Sequence, residues 1–141
     1  MINSDSCVKK YGVPEQLNNT GFLSLWVLPA ELVKGCIPKR IYCNTDLVEP
    51  LTHAIKNLIS RGCIEELHTW DGCFNIRAIR GGVNWSLHSW GIAVDVNASQ
   101  NKLGQVPQLS DRFVQCFKDA GFDWGGDFSR MDGMHFQLSK I

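Results

Sequence analysis

The sequence has no long apolar run: its most apolar segment, FLSLWVLPA at residues 22–30, is too short to span a bilayer. It also has no excess of either charge, because 14 Lys and Arg residues balance 14 Asp and Glu residues. Balanced and dispersed charge gives no reason to expect electrostatic capture of nucleic acid or of an acidic membrane. We therefore expect neither nucleic acid nor a membrane among the partners of this protein.

No secretory signal is recognisable in the N-terminal stretch MINSDSCVKKYG, because no apolar run follows its charges. The six cysteines include no CxxC pair, and their irregular spacing disfavours zinc ligation by thiolates. A chain that is not exported is expected to keep free thiols rather than disulfides. Together these absences predict a protein that is made and folded in a cytoplasm.

Repeats, low-complexity runs and linkers are also missing, and a length of 141 residues then predicts one domain over residues 1–141. We expect a monomer. Hydrophobic periodicity and turn residues predict helices at 4–10, 47–61 and 110–121, strands at 22–27, 40–43, 92–96 and 134–138, and a hairpin of 64–70 with 74–80 around Asp71-Gly72. This pattern indicates the α+β class, with a small antiparallel sheet and helices packed on one side of it.

Only four histidines are present, and two of them lie near carboxylates at useful spacings. His88 precedes Asp95 by seven residues, and His135 follows Asp132 by three. Two neutral imidazoles and one carboxylate are a common ligand set for catalytic zinc, and a further carboxylate beside the metal can serve as general base. The residues alone leave other readings open, since Asp95 could cap a loop and His135 could be a satisfied core histidine.

The two segments that carry these residues resemble a known family. The stretch SLHSWGIAVD at 86–95 is similar to the S-x-H-x-x-G-x-A-x-D motif of the LAS-type zinc peptidases, and GFDWGGDF followed by DGMHF resembles the second half of the same pattern. The family includes D-alanyl-D-alanine carboxypeptidases of the VanY type and L-alanyl-D-glutamate endopeptidases. The resemblance covers roughly residues 40–141 and implies the LAS-type fold shared with hedgehog and D-Ala-D-Ala peptidases. Residues 1–39 match no pattern that we recognise.

The resemblance implies a role for each matching residue. His88, Asp95 and His135 take the positions of the zinc ligands, and Asp132 takes that of the catalytic acid/base. Arg77 matches an arginine that binds substrate or steadies the oxyanion, although Arg80 is a close rival.

Three further residues are candidates for contact with the substrate. Ser86 is expected to hydrogen-bond near the site. Trp90 and Trp124 either line the substrate cleft or fill the core.

The resemblance implies a zinc-dependent hydrolase that acts on the peptide stems of bacterial peptidoglycan. An L-alanyl-D-glutamate endopeptidase of a bacteriophage, held in the host cytoplasm until lysis, is the reading we favour from the sequence. A D-alanyl-D-alanine carboxypeptidase is the alternative within the enzymes. A non-catalytic, zinc-stabilised wall-binding module or a phage structural component is the alternative outside them.

Overall fold

The computed structural model describes all 141 residues as three α-helices and six β-strands, connected by loops and short 3₁₀ turns. The helices are α1 (Ser4–Tyr11), α2 (Thr45–Ser60) and α3 (Asp111–Lys118). The strands are β1 (Leu23–Val27), β2 (Arg40–Asn44), β3 (Trp70–Gly72), β4 (Ala93–Val96), β5 (Phe122–Trp124) and β6 (His135–Leu138). None of the helices is long and apolar enough to cross a membrane.

The strands form two antiparallel sheets, one of β1 with β2 and one in the order β3-β4-β6-β5. The central pair of the larger sheet, β4 and β6, sets Asp95 directly opposite His135. Helix α3 packs on this sheet through Phe117, whose ring stacks on Phe136 of β6 with centroids 4.1 Å apart. The predicted α+β class with a small antiparallel sheet is confirmed.

Helix α2 is the most regular element, and its buried residues are the predicted apolar stripe, including Leu51, Ala54 and Leu58. It begins two residues earlier than predicted, because Asn44 is its N-cap and accepts a hydrogen bond from the Asp46 amide. Pro50 therefore lies inside the helix. Gly62 follows the helix at φ +70°, the left-handed conformation in which a glycine commonly ends a helix.

The predicted hairpin around Asp71-Gly72 is wrong. A two-residue turn of that type needs positive φ at both central positions, and of the two only Gly72 has it. The Asp71 carboxylate instead accepts hydrogen bonds from the Thr69 hydroxyl and the Ala98 amide, at 2.7 and 2.9 Å. Asp71 and Gly72 both belong to β3, which pairs with β4 through a register shift between Trp70 and Gly72. Strand β5 was not predicted from the sequence.

The N-terminal residues pack closely on the rest of the chain. Cys7, Tyr11 and Leu17 are buried in the common hydrophobic core. The Tyr11 hydroxyl donates to Asp46 at 2.6 Å, and Lys10 lies 3.0 Å from the same carboxylate. Burial raises the pKa of Asp46, but the hydrogen bonds from Tyr11 and Lys10 outweigh it and leave that pKa below its usual value. Residues that match no family pattern thus help to hold α2 in place.

All six cysteines carry free thiols, and five of them are buried. Burial raises the pKa of Cys7 to about 12 and that of Cys43 to about 11. A thiol with so high a pKa is almost entirely protonated near neutral pH and is a poor nucleophile. These cysteines therefore behave as small core residues.

Candidate metal centre

Three side chains converge at the middle of the larger sheet. Nε2 of His88 lies 3.1 Å from Oδ1 of Asp95, Nδ1 of His135 lies 3.3 Å from the same oxygen, and the two nitrogens are 3.2 Å apart. The two histidines are buried, at 3% and 7% exposed. The sequence predicted these three residues as a ligand set, and the fold brings them together as a group that could hold a metal ion.

The short 3₁₀ turn Leu87–Trp90 presents His88 to this group. Ser86 caps the turn by accepting a hydrogen bond from the His88 amide, and Gly91 ends it at φ +70°. A Cβ at Gly91 would lie 2.7 Å from the Asn44 amide nitrogen, so only glycine fits there. Asn44 donates its side-chain amide to the Trp90 carbonyl at 3.1 Å, which ties the turn to the start of α2.

Hydrogen bonds on the far side of each imidazole fix which nitrogen faces the group. Nδ1 of His88 lies 2.6 Å from the Cys73 carbonyl oxygen, which can only accept, so this nitrogen carries the proton. Nε2 of His135 donates to Oε1 of Gln137 at 3.0 Å. When both rings are neutral, as metal binding requires, their unprotonated nitrogens therefore point at each other and at Asp95. Oxygen acceptors in this outer position are typical of histidines that bind metals.

The donor set fits zinc. Without a cation, three acceptor atoms about 3 Å apart repel one another, so the arrangement requires a proton or a metal ion between them. Four ligands placed tetrahedrally at the usual zinc distances of about 2.0–2.1 Å are separated from each other by about 3.3–3.4 Å. The observed separations of 3.1–3.3 Å are close to that value. When no metal is bound, a proton on His135 or His88 takes the place of the cation. Burial raises the pKa of Asp95, but hydrogen bonds from the protonated histidines outweigh burial and leave that pKa below its usual value.

Asp132 is not a member of the triangle, but it lines a cleft that Asp95 and His135 also line. Burial raises the pKa of its carboxyl, and the nearby charge of His135 only partly offsets this. The Asp132 amide donates to the Gly125 carbonyl at 2.8 Å, and a Cβ at Gly125 would overlap the Asp132 carbonyl oxygen. A glycine is thus needed at position 125 to hold the Asp132 backbone in place.

The cleft beside the triangle has a volume of about 260 Å³, and three arginines are among the residues that line it. Arg77 and Arg80 both line it, so the structure does not choose between the two rivals. Arg130, which the sequence did not single out, lines it as well. No carboxylate lies within 4 Å of any of these three guanidinium groups, since the only arginine with an acidic partner is Arg61. A ligand with negative charge suits such a cleft.

The predicted substrate contacts fare differently. Ser86 lines the cleft, although it is only 7% exposed. Trp90 is completely buried, donates its indole N–H to the Gly12 carbonyl at 2.8 Å and packs edge-to-face on Trp85. Trp124 lies outside the cleft, over Phe136 and with its N–H bonded to the Gly133 carbonyl. Neither tryptophan is among the residues that line this cleft, and both pack the scaffold, which is the second of the two alternatives that the sequence left open.

Two further groups at the centre were not predicted, Gln137 and the Cys73 carbonyl. The alternation in HFQL could have indicated Gln137, because residues 135 and 137 lie on the same face of a strand. The carbonyl of Cys73 leaves no signal in the sequence, because any residue could supply it.

Comparison with known families adds an independent observation. Residues 80–138 match a family model described as D-alanyl-D-alanine carboxypeptidase. The matched range contains the three candidate ligands and Asp132 but excludes Arg77. No curated protein and no solved structure matches the chain. The family match and the histidine–aspartate–histidine cluster together support a peptidase.

Proposed function

We propose that this protein is a zinc-dependent peptidase that hydrolyses the peptide stems of bacterial peptidoglycan. The observation that carries the proposal is the triangle of His88, Asp95 and His135, two of whose members, Asp95 and His135, line the same cleft as a separate carboxylate, Asp132. The match of residues 80–138 to a family described as D-alanyl-D-alanine carboxypeptidase supports the substrate class.

The residues of the cleft divide the chemistry among them. Zinc held by the three ligands would lower the pKa of a bound water to about 7 and polarise a carbonyl group. The Asp132 carboxylate would accept a proton from the water while the water oxygen attacks the scissile carbonyl carbon. Asp132 would later deliver this proton to the amine nitrogen as the carbon–nitrogen bond breaks. Its raised pKa suits both transfers, because a base with a pKa nearer the working pH also returns the proton more readily. Arg77 stabilises the negative charge that develops on the carbonyl oxygen.

Two bonds in the stem are candidates. Cleavage between L-alanine and D-glutamate is the alternative that we favoured from the sequence, because a wall hydrolase without a recognisable export signal fits a phage lysis enzyme, and it makes the protein an endopeptidase. Cleavage between two D-alanines is favoured by the description of the matching family and by the arginines of the cleft. A carboxypeptidase must bind the terminal carboxylate of its substrate, and unpaired guanidinium groups are suited to that. That the protein is a phage enzyme, held in the host cytoplasm until lysis, remains a prediction from the sequence.

Digestion of defined muropeptides, followed by mass spectrometry, tests the proposal. Loss of one terminal alanine indicates a carboxypeptidase, whereas release of the whole stem after its first alanine indicates the endopeptidase. Chelation should abolish cleavage and added zinc should restore it. Protein that binds zinc but cleaves no muropeptide would be a wall-binding or structural module, and protein that cleaves without any metal would refute the mechanism.

A further inference from the structure

Residues 77–86 form an irregular hairpin that lines part of the cleft. The Ser86 amide donates to the Arg77 carbonyl and the Ile79 amide to the Asn84 carbonyl, both at 2.8 Å. The base of the hairpin is fixed, because the Ser89 hydroxyl bonds both the amide and the carbonyl of Arg77 at 3.1 Å. Residues 78–84 are all exposed, and Val83 is 96% exposed. The tip therefore has little packing to hold it in place.

One side chain ties this tip to the rest of the molecule. Nη1 of Arg130 donates to the Arg80 carbonyl at 2.6 Å. This is the only hydrogen bond between residues 78–84 and any residue outside the hairpin. A hydrogen bond from a charged donor is stronger than a neutral one and is the type best able to hold an exposed loop.

The two ends of this bond belong to different segments of the chain, both of which line the cleft. Arg80 lies on the hairpin that also carries Arg77, whereas Arg130 lies on the loop that leads to Asp132. The bond from Arg130 thus joins the hairpin to the loop that carries the assigned general base. It uses one of the five N–H groups of the guanidinium, and Arg130 lines the cleft as well.

We propose that Arg130 is a positioning residue that latches the tip of the 77–86 hairpin at the cleft and so holds Arg80, with Arg77 at the fixed base of the hairpin, ready for a carboxylate of the substrate. The latch itself rests only on the contacts of the hairpin. Its effect on hydrolysis rests on the peptidase function proposed above.

Hydrogen exchange, measured by mass spectrometry, tests the latch in the full chain without reference to activity. In Arg130→Ala, the Ile79 and Gly82 amides should exchange about tenfold faster than in the wild type, as expected when a hydrogen bond from a charged group is lost. Arg112→Ala is the matched control, because Arg112 also donates to a distant backbone carbonyl, that of Arg61, at 2.6 Å. This control should leave exchange in the hairpin unchanged.

Kinetics on the same preparations test the consequence. In Arg130→Ala, kcat/KM for a muropeptide should fall about tenfold with zinc content unchanged, because the metal ligands are untouched. Arg130→Lys keeps a charged donor and should recover most of both readouts, which a loss of general stability would not show. Wild-type exchange rates in the hairpin of Arg130→Ala would overturn the latch even if the protein is a peptidase. Faster exchange with an unchanged kcat/KM would overturn the positioning role. A wild type that cleaves nothing would refute the peptidase, and the exchange data would still decide on the latch.

Discussion

Replacing Gln137 with leucine should weaken zinc binding although Gln137 is not a ligand. Gln137 is 4% exposed, and its Oε1 accepts the Nε2 proton of buried His135 at 3.0 Å. Leucine has a similar volume but no acceptor. The imidazole must then either leave a buried N–H unpaired or move the proton to Nδ1, which faces His88 and Asp95 and could no longer bind a metal.

The magnitude follows from the role of such outer contacts. Loss of the acceptor behind a metal-binding histidine typically costs 10- to 100-fold in metal affinity, or about 1.4–2.7 kcal/mol. Glutamate at the same position keeps an acceptor and adds negative charge, so Gln137→Glu should bind zinc at least as tightly as the wild type. Opposite effects of two substitutions at one position would identify the hydrogen bond as the cause.

Titration against a competing zinc chelator measures these affinities directly. Gln115→Leu is a suitable control, because Gln115 lies on the exposed side of α3 and its amide bonds only Asp119. Circular dichroism should confirm that every variant is folded. Wild-type zinc affinity in folded Gln137→Leu would refute the argument that Gln137 fixes the tautomer of His135.

Four further predictions concern other parts of the molecule. Asp132→Asn should retain zinc while hydrolysis falls by about 10²- to 10⁴-fold, and Asp127→Asn, whose carboxylate pairs with Lys118 outside the cleft, should change neither quantity. His135→Ala should lose zinc itself, as measured by metal analysis. Thiol titration of denatured, unreduced protein should find six reactive groups, and a count near zero would mean three disulfides. Asp46→Asn should lower the free energy of unfolding by less than about 1 kcal/mol at pH 7, because the carboxylate is partly exposed. Since folding lowers the pKa of Asp46, this difference should be full above about pH 4 and disappear as the pH falls through the folded pKa, as denaturant titrations at several pH values can show.

The metal ligands could be predicted from the sequence because their residue types are rare and chemically specific. Each of the four histidines could be considered in turn, and the residues around Asp95 alternate between large aliphatic side chains and other side chains, as in a strand. Helix α2 could be predicted for a similar reason, since its apolar stripe repeats over four turns.

The predictions from the sequence failed where the same local residue pattern is compatible with two different structures. Asp71-Gly72 is common in tight turns, but here hydrogen bonds to Asp71 from residues 69 and 98 hold it in an extended strand. Trp90 stands within the motif, yet the direction of its ring depends on Gly12, which is 78 residues away. Arg130 was overlooked because its partner is a backbone carbonyl, and such partners cannot be recognised from residue types.

The bond between Trp90 and Gly12 bears on how this chain could be shortened or recombined. The turn that carries His88 rests, through Trp90, on a carbonyl that immediately follows α1. A fragment cut at residues 80 and 138, the limits of the family match, would contain every proposed ligand and still lack this support. It would also leave the indole N–H unpaired and expose the core face that Cys7 and Tyr11 cover. The smallest fragment that can be grafted onto another protein must therefore include the residues that support the turn bearing His88, and these extend back to α1.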